Sequence, residues 1–96
     1  MLTSKQKSYL RSEAHHLQPI FQIGKSGLTE PIIKQIEEAL EARELIKISV
    51  LQNCEQDKDE VAELLRAEGD FEVVQVIGKT IVLYKESSEK KKIVLP

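Results

Sequence analysis

The hydrophobic and polar residues of the chain follow helical spacing in three segments and strand-like alternation in four. Leu10, Ala14 and Leu17 form one apolar stripe of a first helix, which we expect to reach about Leu17. Pro19 ends this helix, because the residue before a proline is pushed out of the helical region. The short apolar run at 20–23 then predicts the first strand.

A second helix and strand follow with the same logic. Thr29 is a suitable N-cap, Pro31 fits the first helical turn, and a wide apolar face extends to about Ala42. Residues 46–50 then alternate between apolar and polar side chains, as in a half-buried strand. Because a helix joins the first two strands, we expect them to be parallel.

The third helix is marked at both ends. Asp57 followed by Glu60 resembles a capping box, and Gly69 suits the position just after a helix. Between them, Val61, Leu64 and Leu65 form one apolar stripe. This segment therefore predicts a short amphipathic helix.

The last third of the chain predicts a hairpin and a tail. Residues 71–77 and 80–85 are rich in strand-forming side chains, and Gly78-Lys79 between them suits a type II′ turn with glycine first. From about residue 87 the chain is polar and basic, so we expect 87–96 to be a loosely held tail. A final edge strand at Ile93-Val94-Leu95 stays open.

The predicted order is α-β-α-β-α-β-β in a single domain that spans residues 1–96. We expect an α/β protein of the α+β two-layer type, with a mixed sheet packed against helices. No run approaches the length of a membrane span, and residues 1–7 lack the apolar stretch of a secretory signal. The single cysteine, Cys54, cannot form an internal disulfide. We therefore expect a cytoplasmic monomer without a membrane partner.

The formal net charge is −2, but the charge is unevenly distributed along the chain. Residues 1–35 carry five basic and two acidic residues, and residues 71–96 carry five basic and three acidic ones. Residues 36–70 carry four basic and eleven acidic residues. A molecule polarised in this way can bind a polyanion on one face in spite of its total charge, although small domains also show such segregation by chance.

The segment Gly24-Lys25-Ser26-Gly27 lies between the first strand and the second helix. Its glycines allow a sharp bend, and a helix start offers unpaired N–H groups and a positive dipole end that favour an anion. We hypothesise that this loop grips the phosphate backbone of an RNA, with Lys25 supplying charge and N–H groups near Gly27 acting as donors. A tight turn that merely joins a strand to a helix is the alternative, and the pattern alone leaves both open.

Other chemistries fit the sequence poorly. Residues 24–26 match the end of a nucleotide-binding P-loop, but that motif needs a glycine where Pro19 stands. His15 and His16 point about 100° apart on a helix and do not easily share a metal, and one cysteine cannot complete a zinc set. Cys54 has no accompanying motif for nucleophilic catalysis. We expect no enzyme activity, metal, cofactor or small-molecule substrate.

Four segments carry a family resemblance: residues 7–17, 19–29, 46–54 and 75–85. The last of them, which reads QVIGKTIVLYK, is much more distinctive than the G-x-x-G loop. Together they resemble the CRM-domain family, in particular its small bacterial members of the YhbY type, in the family's order and over nearly the whole chain.

The resemblance implies a four-stranded mixed sheet with three helices, similar to the C-terminal domain of translation initiation factor three. It also implies binding to ribosomal RNA in precursors of the large ribosomal subunit, as an assembly factor. The RNA-binding positions that it implies lie in the glycine loop and on the first helix: Gly24, Lys25, Ser26, Gly27, Lys5, Lys7 and Arg11.

Lys79, in the hairpin turn, extends the predicted basic surface. Whether the lysines at 90–92 also contact RNA stays open. The chain has few aromatic residues and their spacing places most of them in the core, so we expect phosphate contacts rather than base stacking. The alternative function is a protein interaction module whose acidic second and third helices dock a basic ribosomal protein.

Overall fold

A computed structural model describes residues 2–52, 57–68, 71–89, 91 and 93–96. It contains the predicted elements in the predicted order, with bounds that agree with the sequence pattern to within a few residues. They are α1 (Ser4–Ala14), β1 (Pro19–Ile23), α2 (Glu30–Arg43), β2 (Leu45–Val50), α3 (Lys58–Glu68), β3 (Glu72–Ile77) and β4 (Thr80–Tyr84). Gly69 and Cys54 lie outside the described residues.

The three helices begin in different ways. Thr3 and Gln6 form a reciprocal capping box at the start of α1, with hydrogen bonds of 3.1 and 3.0 Å. The carboxylate of Asp57 accepts a hydrogen bond from the N–H of Glu60 at 2.9 Å, which confirms it as a cap of α3. Thr29 is the N-cap of α2, as predicted, but its side chain makes no capping hydrogen bond.

The strands form one four-stranded sheet in the order β1-β2-β4-β3. β1 and β2 are parallel because α2 carries the chain back across the sheet between them. β4 is antiparallel to both β2 and β3. The predicted four-stranded mixed sheet with three helices is confirmed.

Helices cover both faces of this sheet, so the domain has three layers rather than the two expected. On one face, α2 and α3 bury the larger core, to which Ile36, Leu40, Val61 and Leu65 contribute. On the other face, α1 buries Leu10 and Ala14 against a smaller cluster from the sheet. Successive side chains of a strand point to opposite faces of the sheet, which explains why each face carries its own apolar cluster. That smaller cluster contains Leu45, Val74, Val82 and Tyr84.

The chain after β4 is held by two carboxylates from the C-terminal part of α2 and the residue that follows it. Glu44 is fully buried, and its carboxylate accepts hydrogen bonds from the backbone N–H groups of Ser87 and Ile93, both at 2.8 Å. Glu41 accepts hydrogen bonds from the hydroxyl groups of Ser87 and Ser88 at 3.1 and 2.6 Å. Buried or clustered carboxylates are stable where N–H and O–H donors surround them.

The expectation of a loosely held tail does not match these contacts. Ile93 and Leu95 pack against the cluster beneath α1, and the carbonyl of Pro96 accepts a hydrogen bond from Gln6 at 3.3 Å. The side chains after β4 are mostly polar and give no sign of these contacts, because the donors that hold the segment are mostly backbone N–H groups. Lys91 pairs with Glu86 at 2.8 Å, and that hydrogen bond raises the pKa of Lys91. The lysines at 90 and 92 lie outside the described residues.

Candidate nucleic-acid interface

The glycine loop is a tight turn that presents two side chains to solvent. The N–H of Gly27 donates to the carbonyl of Gly24 at 2.9 Å, which closes the turn. Gly27 is buried and has a φ of 71°, a conformation that glycine adopts without steric cost. Lys25 and Ser26 are exposed at the tip. The turn therefore holds a cation and a hydroxyl outward on a constrained backbone.

The loop is fixed against the neighbouring strand. The N–H of Leu51, just after β2, donates to the carbonyl of Ile23 at 2.9 Å. A Cβ built on Gly24 would lie 3.7 Å from Leu51 Cδ1. The chain thus leaves β1 directly beside the end of β2.

The β3–β4 turn lies at the same end of the sheet. Gly78 has a φ of 57° and Lys79 does not have a positive φ, as a type II′ turn requires. The N–H of Val50 donates to the carbonyl of Lys79 at 2.7 Å, and Lys79 Nζ lies 3.5 Å from Gln52 Oε1. We call this end, which carries residues 24–27, 51–52 and 78–79, the loop end. We call the opposite end, which carries residues 85–89, 91 and 93–96, the tail end.

Gly27 itself is not available as one of the backbone donors expected around it. Its own N–H is used within the turn, so it cannot also hold a phosphate. At the start of α2, Thr29 leaves the first N–H groups without a side-chain cap, but Glu30 places a carboxylate in the first turn. Within the loop, an anion is therefore attracted mainly by Lys25, with the Ser26 hydroxyl as a neighbouring donor.

The three basic residues predicted on α1 do not share one surface. Arg11 is exposed and borders a cleft between α1 and the sheet. Lys7 is half-buried and lies one turn before it. Lys5 is exposed and is offset by roughly 140° around the helix from the buried Leu10, given 100° per residue. Lys5 therefore faces solvent on the side of α1 that is away from the sheet.

Towards the loop end, α1 leaves part of the sheet surface uncovered. Lys47 and Gln75 are each paired with Val82, so these three residues lie side by side across β2, β4 and β3. The next row, closer to the loop end, is made of Gln22, Ser49, Thr80 and Ile77. This surface is mostly polar, in contrast to the apolar cluster that α1 covers.

A cleft of about 540 Å³ lies between the C-terminal end of α1 and this surface. Arg11 and Lys47 border it, together with the two adjacent histidines and Gln75. The rings of His15 and His16 are arranged edge to face, with their centroids 5.6 Å apart. None of the nine described residues that line the cleft is acidic.

Exposed carboxylates are concentrated on the other side of the molecule. They project from α2 and α3, which pack on the opposite face of the sheet, and include Glu37, Glu38, Asp59, Glu60 and Glu63. Within the described part of the chain, the ion pairs join Arg66 to Glu63 and Lys91 to Glu86. Lys25, Arg11 and Lys47 have no carboxylate partner among the described residues, so their charges are available to a ligand.

Sequence reasoning missed Lys47 and Gln75. Lys47 occupies a polar position in an alternating strand, which is a visible signal, since such a position faces the less buried side of a sheet. Gln75 reaches the cleft through a β-bulge between Val73 and Gln75, and bulges leave no clear sequence pattern. His15 and His16 line the same cleft rather than a metal site.

The described residues contain no group of three or more histidine, cysteine, aspartate or glutamate side chains that could hold a metal ion. Each helix among them is also too short or too polar to cross a lipid bilayer.

The sequence model of the CRS1 / YhbY (CRM) domain family matches residues 2–85. The chain belongs to the CRM-domain family. The match covers every helix and strand of the structure, including the glycine loop, the cleft and the β3–β4 turn.

Relatives over the whole domain carry consistent names. A probable RNA-binding protein of Bacillus subtilis, YqeI, is 67% identical over 96 residues and covers both chains completely. An RNA-binding protein of Haemophilus influenzae is 41% identical over 90 residues, which are 94% of this chain and 91% of that one. The solution structure of a hypothetical protein from Staphylococcus aureus, described as a candidate RNA-binding protein, superimposes with a TM-score of 0.82 at 60% identity and full coverage of both chains.

Proposed function

We propose that this protein binds RNA through the loop end and the adjoining cleft, chiefly by contacts with the phosphate backbone. The observation that carries the proposal is the set of cations at the loop end and beside the cleft, Arg11, Lys25 and Lys47, none of which has a carboxylate partner among the described residues. The names of the relatives support RNA as the polyanion.

The mechanism is electrostatic and depends on rigid presentation. Lys25 stands at the tip of a closed turn, and Lys79 stands in a second turn at the same end of the sheet. Each cation that neutralises a phosphate releases a counterion, which favours binding at low salt. Because the turns are fixed to β1, β2 and β4, little ordering of the backbone is needed when RNA binds. Exposed carboxylates on α2 and α3 repel RNA from the opposite face.

We further propose that the RNA is ribosomal RNA in precursors of the large subunit, and that the protein assists ribosome assembly in the cytoplasm. The family resemblance motivates this target. Phosphate contacts position a protein without specifying sequence, so recognition of one site depends on RNA shape or on neighbouring ribosomal proteins.

The loop is tested by replacing Lys25 and Ser26 together with aspartate. We expect RNA affinity in a fluorescence anisotropy titration to fall at least about tenfold, since the tip of the turn changes from cationic to anionic. A matched variant, Arg66→Glu with Ala67→Glu, makes the same change in net charge on exposed residues of α3. It should keep RNA affinity within about twofold. Equal losses in both variants would mean that only the total charge matters and that the loop has no special role.

The target is tested by crosslinking the protein to RNA in cell extract and sequencing the bound fragments. Reads clustered in large-subunit rRNA would support the assembly role. Reads clustered elsewhere would reject that role while leaving RNA binding intact. The loop variant serves as the background control in the same extract.

A second candidate function rests on the surface of α3. Leu64 was expected in the apolar stripe of α3, but unlike Val61 and Leu65 it is 38% exposed. Asp59, Glu60 and Glu63 surround it in a shallow depression. A basic protein, such as a ribosomal protein, could contact this apolar side chain and its acidic surroundings at once. The salt dependence of RNA affinity separates the two functions. Several phosphate contacts give a clearly negative slope of log affinity against log salt, whereas a slope near zero favours the protein partner.

A further inference from the structure

The cleft beside α1 has features that a phosphate-binding surface alone does not need. Its volume, about 540 Å³, falls within the range of small-ligand pockets, roughly 300–1,000 Å³. A flat cationic patch would be enough to hold a phosphate backbone. The cleft instead combines cations at its border with an amide and an apolar floor.

The polar groups of the cleft lie in one row across the sheet. Lys47 on β2 and Gln75 on β3 flank Val82 on β4, and all three line the cleft. The bulge in β3 places both Val74 and Gln75 opposite Val82, so Val74 packs beneath α1 while Gln75 lines the open part. An amide presents donors and an acceptor together, which suits the edge of a nucleobase.

The apolar groups offer a surface for a flat ring. Ala14 and Val82 close the inner end of the cleft but are only 1% exposed each, so its accessible aliphatic surface comes from Ile77, which is 58% exposed at the side towards the loop end. A large exposed aliphatic residue on an otherwise polar surface is available to pack against a ligand. The His15 and His16 rings add aromatic surface at the opposite side, on the α1 end of the cleft.

The position of the cleft connects it to the glycine loop. Ile77 is followed directly by the Gly78-Lys79 turn, and the carbonyl of Lys79 accepts the hydrogen bond from Val50 at the loop end. A strand of RNA whose phosphates lie along Lys25 and Lys79 therefore passes the mouth of the cleft.

We propose that the cleft receives one unpaired nucleotide of the bound RNA. Its base lies against Ile77 with its edge at Gln75, and its phosphates lie near Arg11 and Lys47. This inference rests on the proposed function, because the nucleotide belongs to the RNA that the loop end holds. It adds a preference for unpaired RNA, which a purely phosphate-binding surface would lack.

The test compares two RNAs of equal length, a blunt hairpin and a hairpin with a single-stranded extension. Both are closed by the same compact tetraloop, so they differ in accessible unpaired nucleotides only at the extension. Gln75→Ala and Ile77→Ser remove the proposed base contacts without changing any charge. Each variant should lower affinity for the extended RNA about three- to tenfold and leave affinity for the blunt hairpin within about twofold. Equal losses for both RNAs, or no loss for either, would overturn the inference.

Three further variants separate this inference from the proposed function. The Lys25→Asp/Ser26→Asp protein should lose affinity for both RNAs, and wild-type protein that binds neither RNA would reject the proposed function itself. Lys47→Met removes the charge but keeps the side-chain length, and its matched control is Lys85→Met, which follows β4 at the tail end and is similarly half-buried. Lys47→Met should weaken binding of the extended RNA more than Lys85→Met does, and equal effects would count against the cleft.

NMR spectroscopy gives a readout of position that does not depend on mutation. Titration of the extended RNA should shift the backbone amide signals of Gln75 and Ile77 and the side-chain amide signals of Gln75. The blunt hairpin should shift the signals of Lys25 and Ser26 but leave the Gln75 side chain unchanged. Identical shifts from both RNAs would contradict insertion of an unpaired base.

Discussion

The two ends of the sheet use charged side chains in opposite ways. At the tail end, Glu44 is fully buried and Glu41 is partly buried, and backbone N–H or hydroxyl groups of Ser87, Ser88 and Ile93 donate to the two carboxylates. At the loop end and in the cleft, Lys25 and Arg11 are exposed and lack carboxylate partners in the described part of the chain. Charge at the tail end is used to build the fold, whereas charge at the loop end is left for a ligand.

This difference separates stability from binding. Removing a buried carboxylate leaves its donors without an acceptor, and each unsatisfied buried donor costs about 1–3 kcal/mol. Removing an exposed cation costs the fold almost nothing, since exposed charges contribute little to stability. Substitutions at the tail end should therefore change the free energy of unfolding, and substitutions at the loop end should change RNA affinity.

The largest expected effect on stability comes from Glu44→Ala. The N–H groups of Ser87 and Ile93 lose their acceptor, so the free energy of unfolding should fall by about 3 kcal/mol in urea denaturation. RNA affinity of the folded variant should stay within about twofold of wild type, because the change is at the far end of the sheet. A loss of less than about 0.5 kcal/mol, the range of ordinary surface substitutions, would show that Glu44 does not hold the segment.

Two other substitutions separate the carboxylate from the backbone at this position. Glu44 has a φ of 66°, which costs a residue with a Cβ roughly 1–2 kcal/mol relative to glycine. Glu44→Gly relieves this strain and should be about 1 kcal/mol less destabilised than Glu44→Ala. Glu44→Gln keeps one acceptor oxygen and should also be less destabilised. If alanine and glycine have equal effects, the backbone conformation carries no cost.

At the loop end, the two glycines of the turn should respond differently to alanine. Gly27 has a φ of 71°, so Gly27→Ala should lower the free energy of unfolding by about 1–2 kcal/mol and displace the tip that carries Lys25. Gly24 has an open neighbourhood, with Leu51 Cδ1 at an ordinary 3.7 Å from the position of a new Cβ. Gly24→Ala should therefore stay within about 0.5 kcal/mol of wild type.

RNA affinity of Gly27→Ala and Gly24→Ala tests whether the shape of the turn also matters for binding. Gly27→Ala should bind RNA more weakly at a temperature where it is fully folded, while Gly24→Ala should bind as wild type does. Equal affinity for both variants would show that the exact path of the turn does not matter and that Lys25 acts as a flexible charge.

The fold was largely predictable because local signals and periodicity agree along most of the chain. Thr29 and Asp57 are the helix caps that their residue types indicate, and Gly78 has the positive φ expected for its turn. The parallel pairing of β1 and β2 follows from the helix between them. Each of these features depends on residues close together in sequence.

Features that depend on distant residues were missed. The segment after β4 is held by Glu41 and Glu44, more than 40 residues away, and its own polar composition gives no sign of them. Likewise, the row that Lys47 and Gln75 form across the sheet arises from strand order and from a bulge. The loop and Arg11 were found because their signals are local, while the cleft beside them requires the assembled sheet.

The smallest expected effect concerns pH at the tail end. The hydrogen bond from the Ser88 hydroxyl, opposed by desolvation and assisted by Ser87 and Glu89, holds the pKa of Glu41 below its usual value. A carboxylate with a lowered pKa stabilises the folded state at pH values above its unfolded pKa, about 4.3, and this contribution is lost as pH falls through the folded value. The contribution should therefore be constant between pH 7 and about pH 5 and then decline.

The amide signals of Ser88 and Glu89 report this loss most directly, because both N–H groups donate to Glu41. In wild-type protein, hydrogen exchange at these amides, corrected for the intrinsic pH dependence, should lose protection only as pH falls through the lowered pKa of Glu41 in the folded protein. Glu41→Gln cannot ionise, so it should show reduced protection already at pH 7 and little further change in acid. The amides of Gly27 and Leu51 at the loop end do not donate to Glu41, so their protection from exchange should be the same in both proteins. Simultaneous loss of protection at both ends would mean that acid unfolds the whole domain. The local effect predicted for the tail end would then be contradicted.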